Sequence, residues 1–137
     1  LIPGSPVSMV SSEGNARVMV ERSANGHFEV IADVNGQALR MLIDTGASSI
    51  VLSDDDAKRA GFDPSTLRFQ IPVATANGTA MVARARAQEV RIGAIARSDV
   101  PVYIAQPGRL GQSLLGMSFI NTLSGFELRG DRIVLQD

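Results

Sequence analysis

The stretch Met41-Leu-Ile-Asp-Thr-Gly-Ala-Ser-Ser-Ile-Val-Leu52 places one acidic residue between two apolar runs. The first run is typical of a buried strand and the second returns the chain to the core, so Asp44 is expected where a strand ends. Gly46 lets the backbone approach its neighbours closely at this turn. The Asp-Thr-Gly triplet occurs once in the 137 residues, so each chain supplies this carboxylate once.

The composition is that of one soluble globular domain. Hydrophobic residues make up 45% of the 137 residues and charged residues 20%, which leaves room for one core and is far from the profile of a disordered chain. The formal net charge of -1 creates no strong field, so no nucleic acid partner is expected. Cysteine is absent, which excludes disulfides, thiol nucleophiles and thiolate metal sites.

The chain divides into two parts near residue 15. Residues 1–15 are rich in Ser, Gly and Pro without a sustained hydrophobic period, which predicts a flexible arm or linker. Residues 16–137 carry the strand signals and form the predicted domain.

Two Asn-Gly pairs, Asn25-Gly26 and Asn35-Gly36, separate β-prone runs at 17–22, 27–34 and 37–43. Asn-Gly between such runs is a strong hairpin signal, because both residues tolerate positive φ. The pattern predicts a three-stranded meander whose third strand ends at Asp44.

The rest of the chain predicts short strands and one or two short helices. Ser53 before three aspartates, with Gly61 after the last periodic residue, is typical of a short helix. A second helical turn is expected within 114–120, after the loop Gln106–Gly111. Further strands are predicted at 69–75, 80–87, 89–92, 100–105, 126–129 and 132–135. Many short strands in this order indicate an all-β closed barrel.

This order of features resembles the retropepsin-like aspartic peptidases, in particular the bacterial branch whose active loop reads Asp-Thr-Gly-Ala. The resemblance rests on the loop at Asp44 and on Leu114-Leu115-Gly116 leading into a helix. It covers residues 16 to 136 in order. It implies an all-β, retropepsin-like closed barrel equivalent to a single pepsin lobe, and an aspartic endopeptidase.

The resemblance also implies how the site is completed. Because the Asp-Thr-Gly triplet occurs only once in the chain, the other carboxylate is expected from a second molecule, in a symmetric homodimer. The two carboxyls would share one proton and activate a water against a peptide bond. Neither a cofactor nor a metal is implied.

Further site residues follow from the same resemblance. In the active-site loop, Thr45 is expected to brace the two subunits across the dimer axis, Gly46 to allow close backbone approach, and Ala47 and Ser48 to complete the loop. The hairpin tip Ala76-Asn77-Gly78-Thr79 resembles the flap that closes over bound peptide. The loop 106–111 is expected to wall a substrate pocket.

Other interpretations remain open at this level. Relatives of this type suggest a periplasmic location, with an inner-membrane tether outside this chain. A peptide-binding or dimerisation module with little catalysis would carry the same motif, and a closed monomeric barrel that binds a small ligand is a third candidate. A Ser-His-Asp hydrolase would need His27, and Gly116-Met-Ser-Phe-Ile120 lacks the second Gly of a nucleophile elbow.

Overall fold

Strands dominate the computed structural model, which describes residues 7–10, 16–75 and 78–137. The strands are β1 Val7–Val10, β2 Ala16–Glu21, β3 Glu29–Val34, β4 Gln37–Ile43, β5 Val51–Leu52, β6 Phe69–Thr75, β7 Gly78–Ile92, β8 Ile95–Ala105, β9 Ser113–Leu115, β10 Gly125–Arg129 and β11 Arg132–Gln136. The helices are α1 Asp54–Arg59 and α2 Met117–Ile120, with one 3₁₀ turn at Pro64–Thr66.

Six strands close into a barrel. They follow the order β3-β4-β9-β5-β8-β7, and a pairing between β3 and β7 joins the two ends. The closing pairs are Asp33 with Arg91 and Val34 with Val90. This pairing joins the ends of the six-stranded array, with β6 continuing outside it from β7, and it confirms the predicted closed all-β fold.

The terminal segments form a second sheet of four strands, in the order β1-β2-β11-β10. β2 pairs with β11 through Val18 opposite Leu135 and Val20 opposite Ile133. The predicted three-stranded meander is therefore wrong at its first turn, because β2 does not pair with β3. The Asn25-Gly26 region still turns, but Asn-Gly determines only the local backbone. β2 pairs with β11 instead, and its apolar side chains Val18 and Val20 lie in the core.

The second predicted turn is confirmed. β3 and β4 pair from Glu29 opposite Leu42 to Val34 opposite Gln37. Both turn residues adopt positive φ, 52° at Asn35 and 83° at Gly36, as a two-residue hairpin requires. This hairpin delivers the chain to Asp44.

One long strand replaces two predicted ones. Residues 80–87 and 89–92 were expected as separate strands, but both belong to β7, which spans 15 residues. The irregularity between them lies on the partner strand, where Asp99 has a φ of 53°. Pairing with β8 resumes on either side, at Ala87 opposite Val100 and at Glu89 opposite Ser98, so β7 continues unbroken.

Two other local predictions are confirmed. The Ser53 side chain accepts a hydrogen bond from the Asp56 N–H at the start of α1, and Gly61 follows the helix with a φ of 89°. The last two strands form the predicted hairpin around Gly130.

The hydrophobic core joins the barrel to the terminal sheet. Val30, Leu39 and Met41 of the barrel are fully buried, and so are Val18 and Leu135 of the terminal sheet. Both sheets therefore share one core. Neither helix of the described residues combines the length and the apolar character that a bilayer span requires.

The predicted arm at residues 1–15 contains one described segment. Residues 7–10 form β1, which pairs with β2 from Val7 opposite Met19 to Val10 opposite Ala16. This part of the arm is strand rather than linker in the structure, because it extends the terminal sheet. The rest of the predicted arm lies outside the described residues.

Candidate active site

Asp44 lies where two parallel strands end together. β4 and β9 run parallel, with Ile43 opposite Leu115, and the Asp44 N–H donates to the Leu115 carbonyl over 3.0 Å. Asp44 itself is half-buried. The parallel pair therefore holds the Asp44 backbone rigidly while its carboxyl group remains accessible.

The Asp44 side chain is positioned by its own loop. The Gly46 N–H donates to Asp44 Oδ1 over 2.8 Å, and the Ala47 N–H donates to the Asp44 carbonyl over 3.2 Å. A Cβ atom on Gly46 would lie 3.1 Å from Asp44 Oδ1, which is closer than such contacts normally come. The loop thus fixes one carboxylate oxygen and leaves the other available for chemistry.

Backbone hydrogen bonds from the start of α2 hold the loop in place. The Met117 N–H donates to the Ala47 carbonyl over 2.8 Å, and the Ser118 N–H donates to the Ser48 carbonyl over 2.9 Å. A Cβ atom on Gly116 would overlap the Ser49 carbonyl. Glycine is therefore required at 116, which explains the apolar-apolar-Gly pattern that the sequence shows at 114–116.

The other predicted loop residues share this surface. Thr45, Gly46 and Ser48 are exposed, and Ala47 is half-buried. The structure thus brings the five predicted residues of the active-site loop together around one carboxyl group. Bracing by Thr45 across a dimer axis stays a prediction.

The predicted flap is a hairpin that extends beyond the barrel. β6 pairs with β7 from Phe69 opposite Ala83 to Thr75 opposite Gly78, whereas β8 pairs with β7 only from Val82 onward. The outer part of the hairpin is therefore a two-stranded ribbon. Of the predicted tip, Gly78 and Thr79 are described, and Ala76 and Asn77 lie outside the described residues.

A polar cavity of about 630 Å³ lies beside α1. Gly108, Leu110 and Gly111 of the predicted loop 106–111 line it, together with Glu29 and other charged residues. The Gln112 side-chain amide donates a hydrogen bond to Glu29 Oε2 over 2.7 Å. This hydrogen bond lowers the pKa of Glu29. Neither Asp44 nor the other residues of its loop line this cavity, so the predicted substrate wall stays a prediction.

A buried polar network that the sequence interpretation missed lies behind β9. Ser113, fully buried, donates to Asp56 Oδ2 over 2.6 Å and accepts from the Ser53 N–H over 2.9 Å. These hydrogen bonds connect α1 and its cap to β9. No local signal reveals it, because Ser113 and Asp56 are 57 residues apart.

Comparisons with known proteins agree with this geometry. The family model for aspartyl proteases matches residues 30–119, which include the Asp44 loop, the flap hairpin and Gly116. A solved structure described as a retropepsin-like aspartic protease from Rickettsia conorii is 30% identical, covers 96% of this chain and 95% of that one, and superposes with a TM-score of 0.80. The EIAV protease, solved with an inhibitor, is 15% identical with a TM-score of 0.64 over 78% of this chain and 97% of that one, and shares the fold.

Two relatives described as uncharacterised proteins also match. One, from the cobV 5′ region of Sinorhizobium sp, is 45% identical over 137 residues, which are 100% of this chain and 59% of that protein. The other, from Rickettsia prowazekii (strain Madrid E), is 35% identical over 118 residues, 86% of this chain and 50% of that protein. This chain thus spans half to three-fifths of their lengths. On the family model and the Rickettsia conorii structure, the chain belongs to the retropepsin-like aspartyl proteases, in a branch with bacterial members.

Proposed function

We propose that this chain is an aspartic endopeptidase that acts as a symmetric homodimer, with Asp44 from each subunit forming the catalytic pair. The observation that carries the proposal is the Asp44 loop. It presents one accessible carboxyl group on a backbone fixed by Leu115 and Gly116, and it does so in a chain of the aspartyl protease family.

A homodimer is proposed because the chain supplies only half of the chemistry. One carboxylate can accept a proton from water, but it cannot also donate one to the carbonyl oxygen in the same step. Two carboxyl groups within hydrogen-bonding distance share one proton, since both cannot ionise at low cost. A two-fold axis between two Asp44 loops creates that pair from one sequence.

The proposed reaction is direct hydrolysis. The ionised Asp44 takes a proton from a bound water as the water oxygen attacks the peptide carbonyl carbon. The protonated Asp44 of the partner subunit gives its proton to the carbonyl oxygen, which forms a tetrahedral diol. As the C–N bond breaks, the now protonated Asp44 gives its proton to the amine nitrogen and the ionised Asp44 of the partner subunit takes the proton of one diol hydroxyl, so the carboxylic acid and the amine are released and the pair returns to its starting protonation.

The proposed substrates are extended peptide segments with apolar side chains. The ribbon formed by β6 and β7 carries the half-buried apolar residues Ile71, Val73 and Met81. Closing such a ribbon over an extended chain would pair backbone groups and enclose alternate side chains. Neither a metal nor a cofactor enters the proposed mechanism.

The test is peptide-library digestion from acidic to neutral pH, combined with the mass in solution at the same concentrations. We expect cleavage that rises with the dimer fraction. Asp44→Asn keeps an oxygen to accept the Gly46 N–H, so the fold should be unchanged while cleavage falls at least about 10³-fold.

Asp99→Asn is the matched control, because Asp99 is an exposed aspartate on β8 whose φ of 53° is tolerated by Asn. This variant should retain full activity. Cleavage that survives Asp44→Asn, or activity that does not change as the protein is diluted to monomer, would reject the proposal. Binding of extended peptides without cleavage would favour the peptide-binding module instead.

A further inference from the structure

A row of apolar side chains crosses the barrel beside the Asp44 loop and spans the four neighbouring strands β4, β9, β5 and β8. Its directly paired members are Leu42 with Leu114, Leu114 with Val51, and Val51 with Tyr103. Each of these side chains is half-buried, and each is adjacent to a fully buried residue of its own strand. Because successive side chains on a strand point to opposite faces, this outer row faces away from the core.

The Asp44 loop begins and ends at the outer row. The Asp44 N–H continues the pairing of β4 with β9, because it donates to the Leu115 carbonyl. Side chains two residues apart on a strand lie on the same side, so Asp44 faces the same way as Leu42. The loop then rejoins the row at Val51, where β5 begins. A peptide held at Asp44 can therefore continue along the row.

Arg84 lies at the far end of the outer row. It is opposite Tyr103 in the pairing of β7 with β8, and its guanidinium carbon lies 5.9 Å from the centre of the Tyr103 ring. The attraction between a cation and an aromatic face extends to about this distance. The Tyr103 ring thus orients the guanidinium at the end of the row, while the Arg84 side chain stays exposed.

The positive charge of Arg84 is not used within the chain. On the same strand, Arg86 pairs with Asp99 over 3.3 Å and Arg91 pairs with Glu89 over 3.3 Å. In the described part of the chain, no carboxylate lies within ion-pair distance of Arg84. A guanidinium forms its strongest hydrogen bonds with carboxylates, so this end of the row is suited to a carboxylate of a ligand.

From these observations we infer that Arg84 is a specificity-determining residue, which binds an Asp or Glu side chain of the peptide substrate. Four strand spacings of about 4.8 Å separate β4 from β7, a span that about six residues of extended chain cover at about 3.3 Å each. The inference rests on the proposed function, to which it adds an acidic position outside the apolar residues near the scissile bond. Each subunit of the proposed dimer supplies one Arg84, so the preference should occur on both sides of that bond.

Charge exchange between enzyme and peptide tests the inference. Apolar peptides that carry one Glu or one Gln, placed in turn at each of about six positions on either side of the cleavage site, give kcat/KM for each pair. We expect Glu to exceed Gln about tenfold at one position on each side, and Arg84→Gln to abolish the difference. Arg84→Glu should reverse the preference, so that a peptide with Lys at that position is cleaved faster than one with Glu.

Arg91→Glu is the matched control for the charge reversal. Arg91 is also an exposed arginine of β7, and its reversal changes the net charge of the protein by the same amount. It lies away from the outer row, so the ratio between the Glu and Gln peptides should not change.

The ring of Tyr103 is tested with the same peptide pair. Tyr103→Phe keeps the aromatic face beside Arg84 and should keep the preference for Glu. Tyr103→Leu removes that face and should lower the Glu-to-Gln ratio about twofold.

Peptides with a free or an amidated C-terminus distinguish a side-chain carboxylate from a terminal one. We expect both forms to show the same preference for Glu. A preference that follows the free terminus, and is absent from the amidated peptides, overturns the assignment to a side chain.

The outcomes separate this inference from the proposed function. Cleavage with equal rates for Glu and Gln at every position, or a preference that persists in Arg84→Gln, overturns the inference and leaves the enzyme standing. If no peptide is cleaved, fluorescence anisotropy measures the binding of the same labelled peptides. Tighter binding of a Glu peptide that is lost in Arg84→Gln then supports the inference and rejects the proposed activity, whereas equal binding of both peptides, or none, overturns the inference as well.

Discussion

Gly116 lies against the backbone of Ala47, so closely that a Cβ atom on Gly116 would be 2.7 Å from the Ala47 carbonyl oxygen. That oxygen already accepts a hydrogen bond from the Met117 N–H. The Asp44 loop can occupy its position only because residue 116 has no side chain.

Gly116→Ala is therefore expected to damage both stability and activity. The atoms that the new methyl group would meet belong to the backbone of Ala47 and Ser49, which cannot rotate away. We expect a loss of about 1–3 kcal/mol in the free energy of unfolding, the usual cost of overpacking, measured by urea denaturation. Because the loop must shift, peptide cleavage should fall roughly 100-fold.

Gly111→Ala is the control for this substitution. A Cβ atom at Gly111 meets nothing within 4 Å, so stability should stay within about 0.5 kcal/mol of the original. Equal stability of the two variants would contradict the steric account of Gly116.

Gly46→Ala should separate activity from stability. Its Cβ atom would lie 3.1 Å from Asp44 Oδ1, the end of a side chain that can rotate, so the unfolding free energy should change by less than about 1 kcal/mol. If Asp44 acts as proposed, its rotation would displace the carboxyl group of the catalytic pair, and kcat should fall roughly 10- to 100-fold. A variant with unchanged kcat would show that the Gly46 contact does not position the carboxylate.

Ser113→Ala should destabilise the protein through the buried network behind β9. Removing the hydroxyl leaves the Ser53 N–H and one Asp56 oxygen without the partner that they have in the structure. An unsatisfied buried polar group costs about 1–3 kcal/mol, and the loss should appear in thermal denaturation. Ser98→Ala, at an exposed position of β8, should be neutral; a comparable loss there would argue against the network.

The hydrogen bond between Gln112 and Glu29 should make stability depend on pH. Because that bond lowers the pKa of Glu29 from 4.5, its stabilisation is fully present above pH 4.5 and is lost as the pH falls through the lower, folded-state pKa. Gln112→Ala should therefore lower the melting temperature at neutral pH.

The melting temperatures of Gln112→Ala and the original protein should approach each other below pH 4.5 and converge once the pH has fallen through the lowered pKa of Glu29, where Glu29 is protonated in both. Gln88→Ala, an exposed glutamine on β7, should match the original at every pH. A Gln112→Ala defect that persists unchanged in acid would mean that Gln112 acts through packing rather than through the Glu29 carboxylate.

Local signals predicted the elements around the site well. Asn35-Gly36 demands a tight hairpin because both residues adopt positive φ, and Ser53 caps α1 through its own side chain. Each of these depends on neighbours within a few residues, which a sequence pattern contains in full.

Local signals did not predict which strand pairs with β2. Asn25-Gly26 looks like Asn35-Gly36 in the sequence, yet β2 joins β11 at the far end of the chain. The alternating apolar residues of β2 indicate that one face of the strand is buried, but they do not indicate which strand pairs with it.

The sequence by itself determined that Asp44 ends a strand, that a turn with Gly46 follows, and that the Asp-Thr-Gly triplet occurs only once in the chain. Only the tertiary structure decided what supports that turn, because the Leu115 carbonyl and the Gly116 backbone reach it through parallel pairing of β4 with β9. Parallel neighbours are joined by long connections rather than by a turn, so their pairing leaves no local signature.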